Sequence, residues 1–436
     1  MKVLVVGSGG REHALIWKLH QSEYVSKIFA TPGNDGMEDL AELINIKAGD
    51  INKLADFAEE REIDLTIVGP EEPLVAGIVN EFKERHLKIF GPEKDATMLE
   101  GSKVFAKRLL EKYNIPTAEY EVFTDPSTAL KYLKEAEYPL VIKAEGPAQG
   151  QGAVICTGEP EAFTTVEKIM EDRIFGDAGE RIVIENFLEG EEISVFALTD
   201  GETVLPFAEA VDYKAVFDGD EGPNTAGMGS YTPVHWLTED LKAEIYEDIM
   251  YPTIEALKKE GIQFQGVLYA GLIITSSGPR VLEFNARFGD PETQAILPRL
   301  NNDFYELLDK TIEGRLAEVS IDMEPLTVLS LVLASGGYPI THEEGFTITG
   351  LEEASHIDDL IIFHAGTEKS GDSFITAGSR VLNLTVMEDG LMAAADLVYD
   401  LVDIVQFQDM HYRSDIGAES LLGVDDDEIS IEENIN

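Results

Sequence analysis

The amino-acid sequence predicts a multidomain protein of the α/β and α+β classes. Its 436 residues, 44% of them apolar, exceed what one hydrophobic core usually serves. Short apolar runs alternate with amphipathic segments over the first hundred residues, whereas β-rich segments dominate much of the remaining chain. These observations predict an N-terminal doubly wound parallel sheet, central α+β units and a small β-rich domain at the C-terminal end.

The order of segments near the N-terminus predicts the parallel sheet. Because strands joined through helices run parallel, alternation of the two patterns indicates a doubly wound sheet. The strand candidates are KVLVVG, KIFATPG, DLTIVGP and KIFGP, and the helix candidates between them are REHALIWKLHQS, INKLADFAEERE and LVAGIVNEFKERH.

After residue 100 the pattern changes to a helix, a compact α+β module and a second set of strands. LEGSKVFAKRLLEKYNIP predicts a helix that closes at Pro116, with Lys103, Lys107, Arg108 and Lys112 on its basic side. The strand candidates of the module are YEVF, LVIKAE, AVICT and RIVIENFL. Later candidates are EISVFALTD, VLPFAEAVDY, QGVLYAGLIITSS, PRVLEFNARF, LTVLSLVLASGGYP, LIIFHAG and GSRVLNLTVM, followed by the helix LMAAADLVYDLVDIV.

Composition restricts the possible partners. With 33 basic and 83 acidic side chains the net charge is −50, which repels nucleic acid and anionic membranes over most of the surface. The sequence contains neither a long apolar span nor a signal-peptide pattern, so we expect a cytoplasmic protein that binds neither membrane nor nucleic acid. The single cysteine, Cys156, excludes an internal disulfide, and we expect it to be a small buried hydrophobic residue.

The segment VVGSGGREHA places Gly7, Gly9 and Gly10 between a strand and a helix, where backbone N–H groups can hold a phosphate. A dinucleotide site would also need an acidic residue at the end of the second strand, but that strand ends in Thr31 and Pro32. The sequence therefore disfavours a dehydrogenase. VGPEEPL sets Glu71 and Glu72 at the carboxyl edge of the same sheet, either as ligand-binding residues or in a solvated turn.

Two further segments point to a nucleotide. In KAEGPAQGQGAVI, Lys143 precedes a loop whose backbone can bind phosphate oxygens, although glycines in a plain hairpin would give the same pattern. IVIENFLEGEEISV alone indicates a strand, a turn and a strand, but it could also offer an apolar wall to a purine and a carboxylate to ribose.

The segment VLEFNARFGDPETQ predicts a metal and phosphate site. Glu283 and Asn285 alternate on one strand face, so both oxygen ligands point the same way, as Mg²⁺ bound to phosphates requires. Arg287 follows on that face as a fixed cation, unless all three only form an ion-paired strand face. DYKAVFDGDEGPNTAGMGSYTP, which begins near Asp212, predicts a long glycine-rich functional loop.

Taken in order, VVGSGGREHA, TPGN, IVGPEEPL, LEGSK, VIKAEG, IENFLEGEE, GPNTAGMGSYTP and LEFNARFGDPETQ resemble the phosphoribosylamine–glycine ligase family of the ATP-grasp superfamily. The resemblance extends to about residue 417 through ASGGYP, FHAGT and YRSDIG. It implies an ATP-grasp core and an ATP-dependent ligation of glycine to 5-phosphoribosylamine in purine biosynthesis, through glycyl phosphate. It also implies Mg²⁺ or Mn²⁺ as the metal and a monomer or weak homodimer.

The resemblance also implies roles for individual residues. Lys103, Lys143 and the loop glycines Gly146, Gly150 and Gly152 would bind the ATP phosphates, Glu185, Phe187 and Leu188 the adenine, and Glu192 the ribose. Glu283 and Asn285 would hold the metal, and Arg287 with Lys143 would be catalytic. The substrate residues implied are Gly10, Arg11, Glu71, Asp212 and Asp290.

The domain organisation implied by the resemblance has five parts. They are an N-terminal α/β substrate domain at 1–100, a central ATP-grasp domain at 101–122 and 194–328, a mobile lid module at 123–193, an α+β domain at 329–423 and an acidic flexible tail at 424–436. The chain departs from the family at Gln151 and Ala215, where Lys and Arg are usual. These departures leave an alternative open, an ATP-binding homologue with weakened or lost ligase activity in a regulatory or scaffolding role.

Overall fold

The computed structural model describes residues 1–146, 148 and 152–418. Gly150, Gln151 and the tail at 424–436 lie outside the described residues. Within the part of the chain that is described, no helix combines the length and the apolar character needed to cross a bilayer.

The N-terminal hundred residues form the predicted parallel sheet. Its strands are β1 (Lys2–Gly7), β2 (Lys27–Pro32), β3 (Glu42–Leu43), β4 (Leu65–Val68) and β5 (Ile89–Phe90), and its helices are α1 (Gly10–His20), α2 (Ile51–Arg61), α3 (Glu71–Ala76), α4 (Ile78–Glu84) and α5 (Lys94–Gly101). The strand order is β3-β2-β1-β4-β5 and every pair is parallel. Alternate side chains of β1 enter two different hydrophobic cores, one on each face. This explains why the strand is a continuous apolar run.

The next unit is a four-stranded antiparallel sheet in the order β6-β9-β7-β8, covered by two helices. Its elements, preceded by α6 (Lys103–Tyr113), are β6 (Tyr120–Phe123), α7 (Pro126–Leu133), β7 (Leu140–Ala144), β8 (Ala153–Cys156), α8 (Glu159–Val166) and β9 (Ile182–Asn186). Cys156 is a free, buried thiol in the core of this unit, as predicted.

The rest of the described chain contains helices, one large antiparallel sheet and two small antiparallel sheets. Its first part comprises β10 (Glu191–Thr199), β11 (Val204–Asp212), β12 (Ala215–Phe217), β13 (Glu221–Asn224), β14 (Gly229–Thr232), α9 (Glu239–Ile245), α10 (Tyr251–Lys259), β15 (Gly266–Thr275), β16 (Gly278–Asn285), α11 (Glu292–Arg299) and α12 (Phe304–Ile312). Its second part comprises β17 (Thr327–Ser335), β18 (Thr347–Ile348), α13 (Leu351–Ala354), β19 (Leu360–His364), β20 (Thr367–Ser370), β21 (Ser373–Thr376), β22 (Arg380–Glu388), α14 (Leu391–Val402) and β23 (Met410–His411).

The order of the large sheet is β16-β15-β10-β11-β14-β17-β22-β19, with β23 added to β17, while β12-β13 and β18-β21-β20 form the two small sheets. Pairing between β14 and β17 therefore joins the central and C-terminal strands in one sheet. The domain boundaries given above remain a prediction.

The segment predicted as a long glycine-rich loop is more ordered than expected. It contains the antiparallel pair β12 and β13 and continues into β14. Gly219 at the tip of this hairpin and Gly222 in β13 have positive φ angles, at which most other residues would be strained. The glycines that suggested an irregular loop instead allow the chain to reverse tightly.

Candidate functional site

A cavity of about 400 Å³ lies where the edge of the N-terminal sheet, the four-stranded sheet, β16 and the start of β22 meet. The structure brings most of the predicted site residues to this cavity, which contains side chains from all the units of the fold. Those that line it are Arg11, Glu71, Lys103, Lys143, Gly152, Glu185, Phe187, Leu188, Glu192, Asp212, Glu283, Asn285, Arg287 and Asp290.

Two predicted glycines among the described residues, Gly10 and Gly146, are not among the lining residues. Gly10 packs so closely that an added Cβ would lie 2.7 Å from atoms of both Asn383 and Gln294. Gly146 lies against Ala178, and its carbonyl oxygen accepts a hydrogen bond from the Lys103 ammonium at 3.4 Å. Gly150 is outside the described residues.

Two lysines contact one carboxylate at one end of the cavity, and a third lysine lines the same end. Glu185 Oε2 lies 2.9 Å from Lys107 Nζ and 3.0 Å from Lys143 Nζ, and all three side chains are buried. The other carboxylate oxygen, Oε1, has no hydrogen-bond partner among the described residues. Lys103 joins the group from the start of α6, where burial lowers its pKa against the attraction of Glu283. Three cations around one anion leave a positive pocket suited to phosphate oxygens.

Lys107 is a site residue that sequence reasoning placed on the helix but not in the site. It lies one turn after Lys103 in α6, so both ammonium groups reach the same cavity. Burial lowers the pKa of Lys107 to about 8 despite the neighbouring Glu185 carboxylate. The spacing of four residues between Lys103 and Lys107 is the sequence feature that could have placed Lys107 in the site.

An apolar wall continues from this positive pocket. It comes from α6, from strands β7, β8, β15 and β16, and from the segment after β9. Its side chains are Leu110, Val141, Ile155, Phe187, Leu188, Ile273 and Val281. An apolar wall beside a positive pocket fits the purine base of a nucleotide whose phosphates extend toward the lysines.

Glu192 pairs with Lys214, and both side chains line the cavity. The Lys214 ammonium lies 2.8 Å from Glu192 Oε2. Although burial disfavours the charged form, the carboxylates of Glu192, Glu283 and Asp212 raise the pKa of Lys214 above its ordinary value. Lys214 therefore stays cationic and ties the glycine-rich segment to the strand that carries Glu192.

Glu283 and Asn285 both line the cavity from β16, as their alternation predicted. Burial would raise the pKa of Glu283, but Lys214, Lys103 and Lys143 lower it overall, so this carboxylate is ionised. The described residues contain no group of three His, Cys, Asp or Glu side chains arranged to hold a metal. A carboxylate and an amide oxygen next to a phosphate pocket fit a hard divalent cation whose remaining ligands are phosphate oxygens and water.

Arg287 is held rigidly by two carboxylates. Its guanidinium lies 3.1 Å from Glu71 and 3.0 Å from Glu100, and it donates a hydrogen bond to Asn285 Oδ1 at 3.2 Å. Although burial opposes the charge, Glu100 and Glu71 raise the pKa of Arg287.

Glu100 was not predicted as a site residue. Its backbone partner is Ala286 N, which donates to Oε2 at 2.8 Å.

The end of the cavity near the N-terminal sheet contains a second set of paired charges. Arg11 lies 2.6 Å from Glu12, and Asp290 lies 2.9 Å from Arg380. Burial would raise the pKa of Asp290, but Arg380 and Arg11 keep it below its usual value. Arg380 comes from the first position of β22, and sequence reasoning missed it because its partner is 90 residues away.

A buried acidic cluster lies beside Asp212. Ser194 Oγ donates a hydrogen bond to Glu292 at 3.2 Å and lies 2.8 Å from the Tyr269 hydroxyl. Burial and the nearby Glu292 carboxylate raise the pKa of Asp212 well above its ordinary value, and Asp212 Oδ1 has no hydrogen-bond partner among the described residues. The two carboxylates, Asp212 and Glu292, therefore resist carrying two negative charges at once.

Most of the chain matches the models of one protein family. The models are described as the N domain, the ATP-grasp (A) domain and the C domain of phosphoribosylglycinamide synthetase, and they match residues 1–100, 101–293 and 328–419. Together these matches cover most of the sequence in the order of the units described above.

Curated relatives and solved structures agree with these matches. A phosphoribosylamine–glycine ligase from Caldanaerobacter subterraneus subsp. tengcongensis is 49% identical over 96% of this chain and 100% of its own length. One from Halalkalibacterium halodurans is 46% identical over 97% of each. The crystal structure of the Thermotoga maritima phosphoribosylamine–glycine ligase has a TM-score of 0.81 at 31% identity and covers 95% of this chain and 100% of that one.

The similarity of fold extends beyond these relatives. The biotin carboxylase domain of a Hydrogenobacter thermophilus carboxylase, solved with MgADP, has a TM-score of 0.72 at 17% identity, covering 94% of this chain and 91% of that one. At this identity the likeness shows the fold alone.

Proposed function

The chain belongs to the phosphoribosylglycinamide synthetase family. From this membership we propose which end of the cavity binds each substrate. The protein is an ATP-dependent carbon–nitrogen ligase that joins glycine to 5-phosphoribosylamine in purine biosynthesis. ATP occupies the lysine end, with adenine on the apolar wall. Glycine and phosphoribosylamine occupy the end that contains Arg287, Asp290 and Arg11.

The reaction proceeds in two displacements. A carboxylate oxygen of glycine attacks the γ-phosphorus of ATP, the bond from that phosphorus to the β,γ-bridging oxygen breaks, and ADP leaves. The amine of phosphoribosylamine then attacks the acyl carbon of glycyl phosphate, the bond to the phosphate oxygen breaks, and the amine loses a proton. The products are glycinamide ribonucleotide, ADP and phosphate. Because no covalent enzyme intermediate forms, the protein contributes position and fixed charge.

Lys103 and Lys143 stabilise the charge of the nucleotide phosphates. Their ammonium groups line the same end of the cavity, and Glu185 holds Lys143 and Lys107 on one oxygen. A fixed carboxylate keeps the lysine side chains extended toward the cavity, so little reorganisation is required when the phosphates bind. We assign Glu185 this orienting role in addition to the adenine contact that the sequence suggests.

The enzyme uses a divalent metal together with ATP, and we propose that the metal is Mg²⁺, with Mn²⁺ as a substitute. Glu283 and Asn285 would hold it from β16, and it would neutralise phosphate charge during transfer. The support is the donor set, an ionised carboxylate and an amide oxygen beside three lysines. Such hard oxygen donors suit Mg²⁺ when phosphate and water complete the shell.

Arg287 is the group best placed to stabilise the transferring phosphoryl group and the acyl phosphate. Glu71 and Glu100 hold its guanidinium on two sides, and the side chain is only 15% exposed. A cation that is already ordered stabilises developing negative charge without moving during the reaction. Arg287 also stands between the metal ligand Asn285 and the substrate residue Glu71.

The substrate end binds glycine and phosphoribosylamine through opposite charges. Arg11 and Arg380 supply cations for the ribose phosphate, whereas Asp290 and Asp212 supply anions for amine groups. Glu71, held by Arg287, completes this end. Since Asp212 and Glu292 share a buried region, an incoming ammonium group would relieve their mutual repulsion.

We propose that residues 123–193 form the mobile lid over ATP and that the enzyme acts in the cytoplasm as a monomer or weak homodimer. The four-stranded sheet has its own hydrophobic core, so it could move as one unit, and it supplies Lys143 and Glu185 to the cavity. Both properties fit a lid that closes over ATP. ATP consumption fits the cytoplasm. Sedimentation of the purified chain across a concentration series tests the oligomeric state.

The observation that carries the proposal is that the phosphate-binding lysines, the oxygen pair of β16 and Arg287 line one cavity. The test combines the protein with ATP, Mg²⁺, glycine and freshly generated phosphoribosylamine and follows ADP release. Release that depends on both substrates supports ligation. Nucleotide binding without glycine-dependent ADP release would instead indicate the homologue with weakened or lost activity, which the comparisons do not favour.

A further inference from the structure

The hairpin β12–β13 connects the cavity to the outer surface. At its base, Asp212, Lys214, Asn224 and Thr225 line the cavity, while its tip at 218–220 is exposed. Within the described residues the two strands pair only with each other, so no sheet partner holds the hairpin from either side. The position of the base must therefore depend on other contacts.

Two such contacts lie near the base. The Ala226 N–H donates to the Tyr338 hydroxyl at 3.0 Å, and the Ala226 carbonyl accepts from Arg380 at 2.8 Å. Thr225 joins the two strands, because its N–H donates to the Lys214 carbonyl at 2.7 Å. A turn after β17 and the first residue of β22 thus support the inner end of the hairpin.

The outer part of the hairpin is held by Arg413, a side chain with no exposed surface. Its guanidinium donates to the Ala215 carbonyl at 3.2 Å and to Asp220 at 2.6 Å, so it bonds both to strand β12 and to the tip. A bidentate pair to Asp415, at 2.7 and 2.6 Å, fixes the orientation of the guanidinium. The Arg413 guanidinium also lies over the Tyr213 ring, 4.9 Å from its centroid.

Neighbours of Arg413 extend the same attachment. Ser414 binds Asp218 through its N–H and its hydroxyl, and the Gly219 N–H donates to Asp415 at 2.8 Å. Further along, the Gly417 N–H donates to the Tyr213 hydroxyl at 2.9 Å. We call residues 411–417 the C-terminal clasp.

Burial of the Arg413 guanidinium costs free energy unless all its N–H groups have partners, because a buried cation loses its hydration. Arg413 meets this condition with two carboxylates, a carbonyl oxygen and an aromatic face. It also offsets the charges of Asp220 and Asp415, which would otherwise repel each other at the tip. The bond to Ala215 then fixes the backbone next to Lys214, the residue that pairs with Glu192 in the cavity.

We propose that Arg413 is a positioning residue for the ligase reaction, which holds the hairpin so that its base presents Lys214 and Thr225 correctly to the substrates. This inference rests on the proposed function of the cavity. Arg413 touches neither the cavity lining nor any reacting atom, so it acts through the hairpin.

The kinetic test uses the full-length protein and separates position from folding. The tip variant, Asp218→Ala with Asp220→Ala, removes the contacts of these two side chains with the clasp at the exposed tip, outside the cavity. A second variant, Arg413→Lys, keeps the positive charge but loses the planar guanidinium that binds two partners at once. Glu352→Ala with Glu353→Ala, on exposed positions of α13, removes the same charge elsewhere. We expect the tip variant and Arg413→Lys to raise the KM for glycine roughly fivefold or more, and the α13 variant to stay within about twofold of the wild type.

Hydrogen exchange provides a readout that does not require activity. The Thr225 amide, which bonds to Lys214 in the wild type, should exchange about tenfold faster in the tip variant, while amides of β10 and β15 keep their protection. Folded variants with wild-type KM and wild-type exchange at Thr225 would overturn the role of Arg413. A wild-type protein without glycine-dependent ADP release would overturn the proposed function instead, and the exchange result would still decide the role of the clasp.

Discussion

The Lys143 ammonium lies 3.0 Å from the Glu185 carboxylate, across the neighbouring strands β7 and β9. Lys107 approaches the same oxygen to 2.9 Å from α6. One carboxylate thus orders two buried lysines from different elements before any nucleotide binds. This arrangement links the stability of the protein to the charge that ATP or ADP brings.

Replacing Glu185 with Gln should destabilise the protein without nucleotide. The change leaves Lys107 and Lys143 buried without a counter-ion, which costs about 3 to 5 kcal/mol when one partner of a buried pair is lost. Nucleotide phosphates supply the missing negative charge, so ADP should raise the melting temperature of this variant more than that of the wild type. Thermal unfolding with and without ADP measures both effects.

The control is Glu189→Gln, which changes an exposed residue of the same segment. It should leave the melting temperature and the ADP response unchanged. Equal melting temperatures for Glu185→Gln and the wild type would contradict the orienting role of Glu185.

Arg287→Lys should lower kcat by one to two decades while the protein remains folded. Lysine keeps a charge but cannot bond to Glu71 and Glu100 at once, so the cation is no longer fixed. Loss of a charge-assisted hydrogen bond in the transition state costs about 1.5 to 3 kcal/mol. Steady-state ADP release measures kcat, with Arg280→Lys, on the same strand but outside the cavity lining, as the control. A kcat within twofold of the wild-type value would contradict the role of Arg287 in stabilising the transferring phosphoryl group.

Stability should decrease in acid because His13 is buried in its neutral form. The His364 N–H donates to His13 Nδ1 at 2.9 Å, and burial with the neighbouring His364 lowers the pKa of His13 from 6.5 to about 3. Between these values the unfolded chain binds the extra proton and the folded chain does not. The stabilising contribution is therefore complete above pH 6.5 and is lost toward pH 3, at roughly 1.4 kcal/mol per pH unit.

His13→Gln tests this pH dependence. The variant lacks the titrating ring, so its unfolding free energy should depend less steeply on pH between 6 and 4 than that of the wild type. Urea unfolding at several pH values measures the two slopes. Parallel slopes would show that His13 does not contribute.

Gln151→Lys should improve ATP binding. Gln151 lies outside the described residues, and the prediction rests on the sequence, which has glutamine where the family usually has lysine. An added cation near phosphates contributes one charge-assisted hydrogen bond, so the KM for ATP should fall several-fold. An unchanged KM would indicate that other groups, such as Lys107, already supply the charge.

Local sequence patterns predicted much of the fold and part of the site. The apolar runs of β1, β2 and β4 predicted the parallel sheet, because a strand buried on both faces needs no polar alternation. Alternation on β16 correctly placed Glu283 and Asn285 on the same cavity. These features depend on periodicity within one element, which a sequence displays directly.

Contacts between residues far apart in the sequence were not predicted. Arg380 binds Asp290 over 90 residues, and Glu100 binds Arg287 between two separate units. The hairpin β12–β13 was predicted as a loop because its glycines weaken the strand pattern, while several of its contacts come from Arg413, almost two hundred residues away. Sequence spacing alone does not identify such partners.

The most direct measurement follows oxygen from glycine to phosphate. Glycine labelled with ¹⁸O in both carboxylate oxygens is incubated with the wild-type enzyme, ATP, Mg²⁺ and phosphoribosylamine, and the phosphate released is analysed by mass spectrometry. If the carboxylate attacks the γ-phosphorus, each phosphate formed carries one ¹⁸O and the amide product keeps the other. Unlabelled phosphate released alongside glycinamide ribonucleotide would contradict glycyl phosphate as the intermediate formed in this cavity.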